Sequence, residues 1–239
     1  MTGYRGALSM KEAFESVFYV HNETVNIWSH IIGVLGFSWW LWATYADKVA
    51  AESLAHRIAF VVSTLVTIGA FASSVVYHTF KCHSPHAYNL CLLFDYSGII
   101  FCVLGVTTSS IYIGYHCFPL PRDLYIGIMA LLSLALAVSI VIPLFAPPTF
   151  HVNWSDVRTK LLTLFACFGF IPLVHWIYLN GLYSTTVALF TWRLLSAYAL
   201  LGVGFFFWHF KIPERFFIGS FDIWVRFSRR RPSSIVILW

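Results

Sequence analysis

The sequence predicts an all-α integral membrane protein with six transmembrane helices. Of its 239 residues, 59% are hydrophobic and 10% are charged, whereas a soluble domain carries about 25% charged residues. The charged residues cluster between long apolar stretches, which is how a protein that crosses the membrane several times spaces its loops. An aromatic fraction of 19% also excludes a disordered chain.

Six uncharged runs are long enough to cross a membrane, since about 20 apolar residues span the ~30 Å hydrocarbon layer. Lipid leaves backbone groups to satisfy one another, and the runs show no barrel-like alternation, so each run is predicted to be a helix. The runs are residues 27–45, 58–77, 90–112, 124–145, 161–180 and 194–210. We therefore expect one membrane domain, with an N-terminal segment at 1–26, a six-helix bundle at 27–210 and a basic tail at 211–239.

The segment before the first span predicts a short amphipathic helix over residues 9–19. Ser9 and Glu12 have the spacing of a capping box, and Met10, Ala13, Phe14, Val17 and Phe18 fall on one face. We expect this helix to lie along the inner membrane surface. The alternative is an ordinary packed helix of a soluble cap.

The distribution of Lys and Arg predicts the orientation. Eleven of these residues lie on the side that holds both termini and four lie on the other side, so both termini are expected in the cytoplasm. We expect no cleavable signal peptide before the first span, which should itself direct insertion. The basic tail, with Arg226 and residues 229–231, is expected to lie on the inner membrane surface.

The cysteines and the net charge exclude two further classes. Five cysteines without a CxxC pair exclude a zinc knuckle and a complete disulfide framework. A net charge of +5 is compatible with nucleic acid, but Lys and Arg form no stripe with interleaved aromatic residues. We therefore expect membrane lipids rather than nucleic acid as partners.

Residues 73–98 contain the most informative polar side chains. Ser74 and His78 are four residues apart near the end of the second span, and Asp95 lies early in the third span. These positions bring a hydroxyl, an imidazole and a carboxylate to one depth near the inner face. Such a group suits a metal, with the imidazole as ligand and the carboxylate orienting a bound water. The alternative is a hydrogen-bonded helix pair, His78 to Asp95 or to a carbonyl.

The start of the first span, HNETVNIWSH, is explained by helix capping. Asn22 is the expected N-cap, and Glu23 is favourable near the positive end of the helix. His30 has the depth of His78 but is expected to be structural. His175, deep in the fifth span, is expected to serve packing or ligand gating nearer the outer face.

Four motifs together resemble the progestin and adipoQ receptor family, which includes the adiponectin receptors and a Golgi member that traps Raf kinase. They are HNETVNIWSH, the Ser74-x3-His78 pattern followed by TFKCHS, the FDYSG around Asp95, and KIPERFFIGSFDIW. The resemblance runs from about Gly3 to Trp224. It implies a seven-helix receptor with a cytoplasmic N-terminus, in the plasma membrane or the Golgi and other endomembranes, with roles in signalling and lipid metabolism.

The resemblance also implies a zinc site near the inner face and hydrolysis of the amide of a sphingolipid, ceramide. By motif, His78 corresponds to a zinc ligand, Asp95 to the catalytic carboxylate beside the attacking water, and Ser74 to its polar neighbour on the same helix. In that reaction Asp95 positions the water or accepts its proton.

The sequence departs from the family after FDIW. The family continues into a seventh helix that supplies two further zinc-binding histidines, whereas this chain reads VRFSRRRPSSIVILW and no histidine follows His209. His83, His86 and His209 have a depth that would allow them to substitute. We expect an incomplete site that holds zinc weakly. The alternative function is a noncatalytic scaffold or modulator that pairs with a second copy, with a full-length relative or with a cytosolic signalling partner.

Overall fold

The computed structural model describes residues 5–145, 153–210, 212 and 216, and it confirms the all-α prediction. A 3₁₀ turn, Ser16–Phe18, follows the first helix, and a π turn, Tyr45–Val49, follows the second. The α-helices are α1 (Met10–Glu15), α2 (Thr24–Thr44), α3 (Leu54–Phe80), α4 (Pro85–Gly114), α5 (Pro119–Phe145), α6 (Trp154–Phe168), α7 (Phe170–Asn180) and α8 (Thr185–Phe210).

The described part of the chain contains five segments that are long and apolar enough to cross a membrane. They are Leu54–Phe80, Pro85–Gly114, Pro119–Pro143, Asp156–Asn180 and Thr185–Gly204, and they make the chain an integral membrane protein. Helix α2 occupies the first predicted span and is 21 residues long, but its tryptophans and polar residues leave it outside this set. Its crossing of the membrane stays a prediction.

Several helices begin earlier than predicted. Helices α4 and α5 begin at Pro85 and Pro119, because proline fits the first turn of a helix, where its missing N–H has no partner to lose. The start of α8 was predicted at residue 194 but lies at Thr185. Arg193 was assigned to a loop, and a long basic side chain inside a helix can extend its charge toward the membrane surface.

The fifth predicted span, residues 161–180, is divided into α6 and α7 at Gly169. Pro172 lies in the first turn of α7 and has no N–H to donate to the carbonyl of Phe168. The lost hydrogen bond explains why one uniformly apolar run forms two helices.

The apolar core and the polar residues occupy different parts of the bundle. Helix α3 packs most extensively against α4 and next against α2, whereas α4 also packs against α5, and α5 against α6. The buried apolar cluster lies in the second half of the bundle and includes Tyr96, Ile100, Met129, Phe165 and Trp176. The predicted polar residues lie instead where α2, α3 and α4 meet.

The N-terminal segment has the predicted capping box. Glu12 N–H donates to Ser9 Oγ at 3.3 Å, and Ser9 N–H donates to Glu12 Oε2 at 2.8 Å. The side chains of Met10, Phe14 and Phe18 are exposed, whereas Ala13 and Val17, which were predicted on the same face, are buried. Helix α1 therefore packs partly against the bundle, and its place on the membrane surface stays a prediction. Within the predicted tail the structure describes residues 212 and 216, so Arg226 and residues 229–231 lie outside the described residues.

Candidate functional site

The structure brings Ser74, His78 and Asp95 together between α3 and α4. His78 and Asp95 are each 1% exposed, and Ser74 is buried. Ser74 lies one turn before His78 on α3, and its hydroxyl donates to Oδ1 of Asp95. The sequence analysis left open a hydrogen bond from His78 to Asp95. In the structure, Nδ1 of His78 is paired with Glu23 instead.

Glu23, at the start of α2, is the residue that sequence reasoning missed. Its side chain is 10% exposed, and Oε2 lies 2.7 Å from Nδ1 of His78. The same oxygen accepts from Asn26 Nδ2 at 3.0 Å, while Oε1 accepts from Lys81 Nζ at 2.9 Å and Asn22 Nδ2 at 3.2 Å. Four donors therefore occupy the approximately four acceptor positions of one carboxylate.

The prediction that Asn22 caps α2 is wrong. The N-cap is Glu23, without a side-chain capping bond, and Asn22 Nδ2 donates to the Glu23 carboxylate. Local turn bonds order the entry into the helix: Thr24 Oγ1 accepts from His21 N–H at 2.8 Å, and Glu23 N–H donates to His21 Nδ1 at 3.0 Å. One sequence signal could have indicated this role of Glu23. Glu23 and Asn26 are three residues apart, at the depth predicted for His78.

Burial and charge act on Glu23 in opposite directions. Burial alone would raise the pKa of this carboxyl group, but the hydrogen bond with His78 and the positive charge of Lys81 lower the pKa to about 2. Glu23 is therefore a carboxylate at neutral pH, and it accepts hydrogen bonds without donating any.

Arg5 fixes the end of α3 that carries His78. Its guanidinium donates to the carbonyl oxygens of His78 and Thr79, the latter at 2.9 Å, and to Ser16 Oγ at 3.0 Å. The other two carbonyls of the last turn accept from backbone N–H groups of the following loop. The N-terminal segment thus satisfies acceptors that a helix end normally leaves without partners.

Two buried atoms of the site have no hydrogen-bond partner among the described residues, His78 Nε2 and Asp95 Oδ2. Buried polar atoms are almost always satisfied by protein, water or a bound ion. A histidine whose Nδ1 is held by a carboxylate and whose Nε2 is available is the arrangement typical of zinc ligands. His78 therefore fits a metal ligand, although the described part of the chain contains no group of three His, Cys, Asp or Glu side chains placed to hold one.

Of the other histidines near this end of the bundle, one packs directly against His78. The ring of His30 is stacked on His78, with centroids 5.5 Å apart. His83 Nδ1 is 2.8 Å from the carbonyl oxygen of Leu8, His86 is exposed, and the side chain of His209 lies outside the described residues. The structure thus adds His30, rather than His83, to the surroundings of His78.

His175 lies far from this group, in a second polar cluster among aromatic side chains. Its Nδ1 is 2.8 Å from the hydroxyl of Tyr125, and its ring lies 5.9 Å from that of Tyr115. Trp176 Nε1 donates to the carbonyl of Gly114 at 2.8 Å. These contacts agree with the expected packing role.

A narrow apolar cleft begins one residue after Asp95. The guanidinium of Arg158 lies 5.6 Å from the centre of the Tyr96 ring at this cleft. Between α4, α5 and α6, the cleft is lined by Tyr96, Ile99, Ile100, Leu136, Ile140, Arg158 and Leu162.

Apolar helices around a buried polar group define a polytopic α-helical membrane protein. A family model described as "Haemolysin-III related" matches residues 18–227. The chain is 30% identical to Progestin and adipoQ receptor-like protein 1 of Caenorhabditis elegans, with 98% of this chain and 54% of that protein covered. It is 29% identical to Progestin and adipoQ receptor family member 3 of Mus musculus, with 92% and 71% covered.

The chain also matches the Adiponectin receptor protein of Drosophila melanogaster, at 29% identity over 93% of this chain and 49% of that protein. It therefore belongs to the Haemolysin-III related family, together with the progestin and adipoQ receptors. It spans between about half and about seven tenths of the length of these three relatives.

Proposed function

We propose that this family member uses His78 and Asp95 in a zinc site that hydrolyses the amide bond of a membrane sphingolipid. The observation that carries the proposal is the pair of buried, unpartnered atoms, His78 Nε2 and Asp95 Oδ2, within the described part of the bundle. Relatives named as receptors support a function at a membrane. The proposal includes the predicted inner-face location and cytoplasmic N-terminus.

His78 would bind the metal through Nε2, because Nδ1 is engaged by Glu23. When bound, zinc would polarise an amide carbonyl and make a water molecule more acidic. One imidazole does not complete a catalytic site, which normally has three protein ligands. The further ligands would come from His30, which is stacked on His78, from residues outside the described ranges, or from a second protein chain.

Asp95 has the geometry of a proton acceptor. Ser74 donates to Oδ1 and so holds the carboxylate in one orientation. Oδ2 keeps its lone pairs available, since no donor among the described side chains reaches it. Asp95 would orient a water molecule and receive its proton, while Ser74 would act by holding Asp95 in place.

A lipid substrate agrees with the surroundings of this pair. Five of the seven side chains that line the cleft beginning at Tyr96 are aliphatic, and they come from three helices. The site lies at one end of membrane-spanning helices. The cleft is too narrow for an acyl chain as it stands, so the helices that line it would separate when a lipid binds.

A second candidate function is a noncatalytic membrane scaffold or modulator. It is favoured because the described residues contain no group of three His, Cys, Asp or Glu side chains placed to hold a metal. In this function, the chain pairs with another copy, with a longer relative or with a cytosolic signalling partner.

Zinc content and ceramide hydrolysis of the whole purified chain, in lipid nanodiscs, distinguish the two functions. His78→Ala and Asp95→Asn test the site, and His56→Ala is the matched control because His56 is partly exposed and pairs with Glu52. The enzyme proposal expects about one zinc per chain that is lost only in His78→Ala, and hydrolysis that is lost in both site variants. A chain that binds no zinc and hydrolyses no ceramide, whether alone or together with a longer relative, would instead support the scaffold.

A further inference from the structure

We infer that Glu23 is the positioning residue for His78: its carboxylate holds the imidazole with the proton on Nδ1 and so leaves the Nε2 lone pair available for a ligand. The identity of the ligand at Nε2 rests on the proposed function. The positioning of His78 by Glu23 is independent of that function, because it follows from contacts among the described residues.

The geometry joins two helices that are distant in sequence. Glu23 lies at the start of α2 and His78 in the last turn of α3, 55 positions later, with 2.7 Å between Oε2 and Nδ1. Both side chains are buried, so water does not compete for this hydrogen bond. Glu23 is unsuited to bind a metal itself, because His78, Asn26, Lys81 and Asn22 already occupy its two oxygens.

The chemistry of the two groups fixes the tautomer. A carboxylate only accepts hydrogen bonds, so Nδ1 of His78 must carry the proton that lies between them. In a neutral imidazole the other nitrogen is then the acceptor, and the partner of one nitrogen decides what the other can bind. Of the two ring nitrogens of His78, the one without a partner among the described residues is indeed Nε2.

Two aromatic neighbours prevent the ring from turning away. His30 stacks on His78 with an interplanar angle of 22°, and Tyr77 meets its ring edge to face at 5.0 Å. The hydrogen bond to Glu23 therefore selects one of the two flipped orientations within a slot that these rings define. Such carboxylate partners of metal-binding histidines orient the ring and raise its basicity.

Lys81 offers a way to separate this role from general stability. Its ammonium binds Oε1 of Glu23, whereas the imidazole is held by Oε2, so Lys81→Met removes the ion pair and keeps the carboxylate on His78. In Glu23→Gln, Lys81 attracts the single amide oxygen and turns the NH₂ group toward Nδ1. That donor favours the opposite tautomer, with the proton on Nε2.

The test is ¹⁵N NMR of the whole, metal-free chain in nanodiscs with labelled histidine, recorded well above the ordinary imidazole pKa of about 6.5. His78→Gln assigns the resonance. We expect His78 to be protonated on Nδ1 in the native chain and in Lys81→Met, but on Nε2 in Glu23→Gln. A native ring protonated on Nε2 or on both nitrogens, or a ring unchanged in Glu23→Gln, would overturn the inference.

Zinc titration of the same proteins gives the second measurement. Loss of a carboxylate partner typically lowers metal affinity by ~10- to 100-fold, so we expect that loss in Glu23→Gln and a change below about threefold in Lys81→Met. Equal losses in both variants would assign Glu23 a merely structural role. If the native chain takes up no zinc, the proposed function fails. The NMR measurement of the His78 tautomer then still tests whether Glu23 positions the ring.

Discussion

The ammonium group of Lys81 lies 2.9 Å from Oε1 of Glu23. This ion pair joins the residue that caps the end of α3 to the residue that begins α2. The other carboxylate oxygen holds His78, so one side chain links the packing of two helices to the orientation of an imidazole. The stability and the chemistry of this end of the bundle are therefore coupled.

Replacing Lys81 by Met should destabilise the protein. The Lys81 side chain is 23% exposed and its partner Glu23 is 10% exposed, so water compensates the lost hydrogen bond only in part. We expect a loss of about 1 to 3 kcal/mol, measured by thermal unfolding in a mild detergent.

Lys160→Met is the matched control for Lys81→Met. Lys160 also forms an ion pair at 2.8 Å, with Asp156, but its side chain is 75% exposed. Exposed pairs of this kind contribute about 0.3 to 0.5 kcal/mol. Equal losses in the two variants would contradict the partly buried character of the Lys81 pair.

Replacing Arg5 by Ala should loosen the end of α3. The substitution leaves the carbonyls of His78 and Thr79 without the donor that satisfies them, and unsatisfied partly buried acceptors cost about 1 to 3 kcal/mol. Thermal unfolding should show the loss, and hydrogen exchange should show faster opening of the last turn of α3. Arg122→Ala removes a guanidinium that pairs with Asp123 at the start of α5, and it should leave hydrogen exchange in the last turn of α3 nearly unchanged.

Ser74 and Ser73 form a second matched pair. Ser74 donates to the buried carboxylate of Asp95, whereas Ser73 donates to the carbonyl of Ala70 within its own helix. We expect Ser74→Ala to cost about 1 to 3 kcal/mol, because it leaves a buried carboxyl oxygen without its hydrogen-bond donor. Ser73→Ala should cost less. A larger loss in Ser73→Ala would show that Ser74 does not support Asp95.

The predicted orientation is tested with native cysteines. Cys82 precedes α4 and Cys117 follows it, so a membrane-spanning α4 places them on opposite sides. In single-cysteine variants, a membrane-impermeant maleimide should label Cys117 from the non-cytoplasmic side and Cys82 from the cytoplasmic side. The reverse pattern would invert the topology.

Two glycosylation sequons provide an independent check of the same orientation. Asn22-Glu23-Thr24 and Asn153-Trp154-Ser155 both match the acceptor pattern, and both lie on the predicted cytoplasmic side, where glycosylation does not occur. Deglycosidase treatment should therefore leave the mobility of the protein unchanged. A shift that Asn22→Gln or Asn153→Gln removes would contradict the prediction.

Local physics accounts for the features that sequence reasoning predicted correctly. An apolar run of about 20 residues must form a helix in lipid, because its backbone has no other partners, and α3, α4 and α5 cover the corresponding predicted spans. The capping box of Ser9 and Glu12 and the shared face of Ser74 and His78 depend only on spacing along one helix.

Helix ends and the interruption at Gly169 were predicted less well. Hydropathy does not register that Pro85 and Pro119 can begin a helix, or that Arg193 can lie inside one. The break between α6 and α7 depends on a single missing N–H at Pro172. These are backbone effects, to which an average over apolar side chains is insensitive.

The sequence by itself determined that the chain is a helical membrane protein and that Ser74, His78 and Asp95 share one depth. Tertiary structure decided which partners these residues have. The bonds of Glu23 to His78 and of Arg5 to the end of α3 join positions 55 and more residues apart. Such pairs depend on how each helix is rotated about its axis and packed against its neighbour, and the spacing of residues within one helix does not specify that rotation.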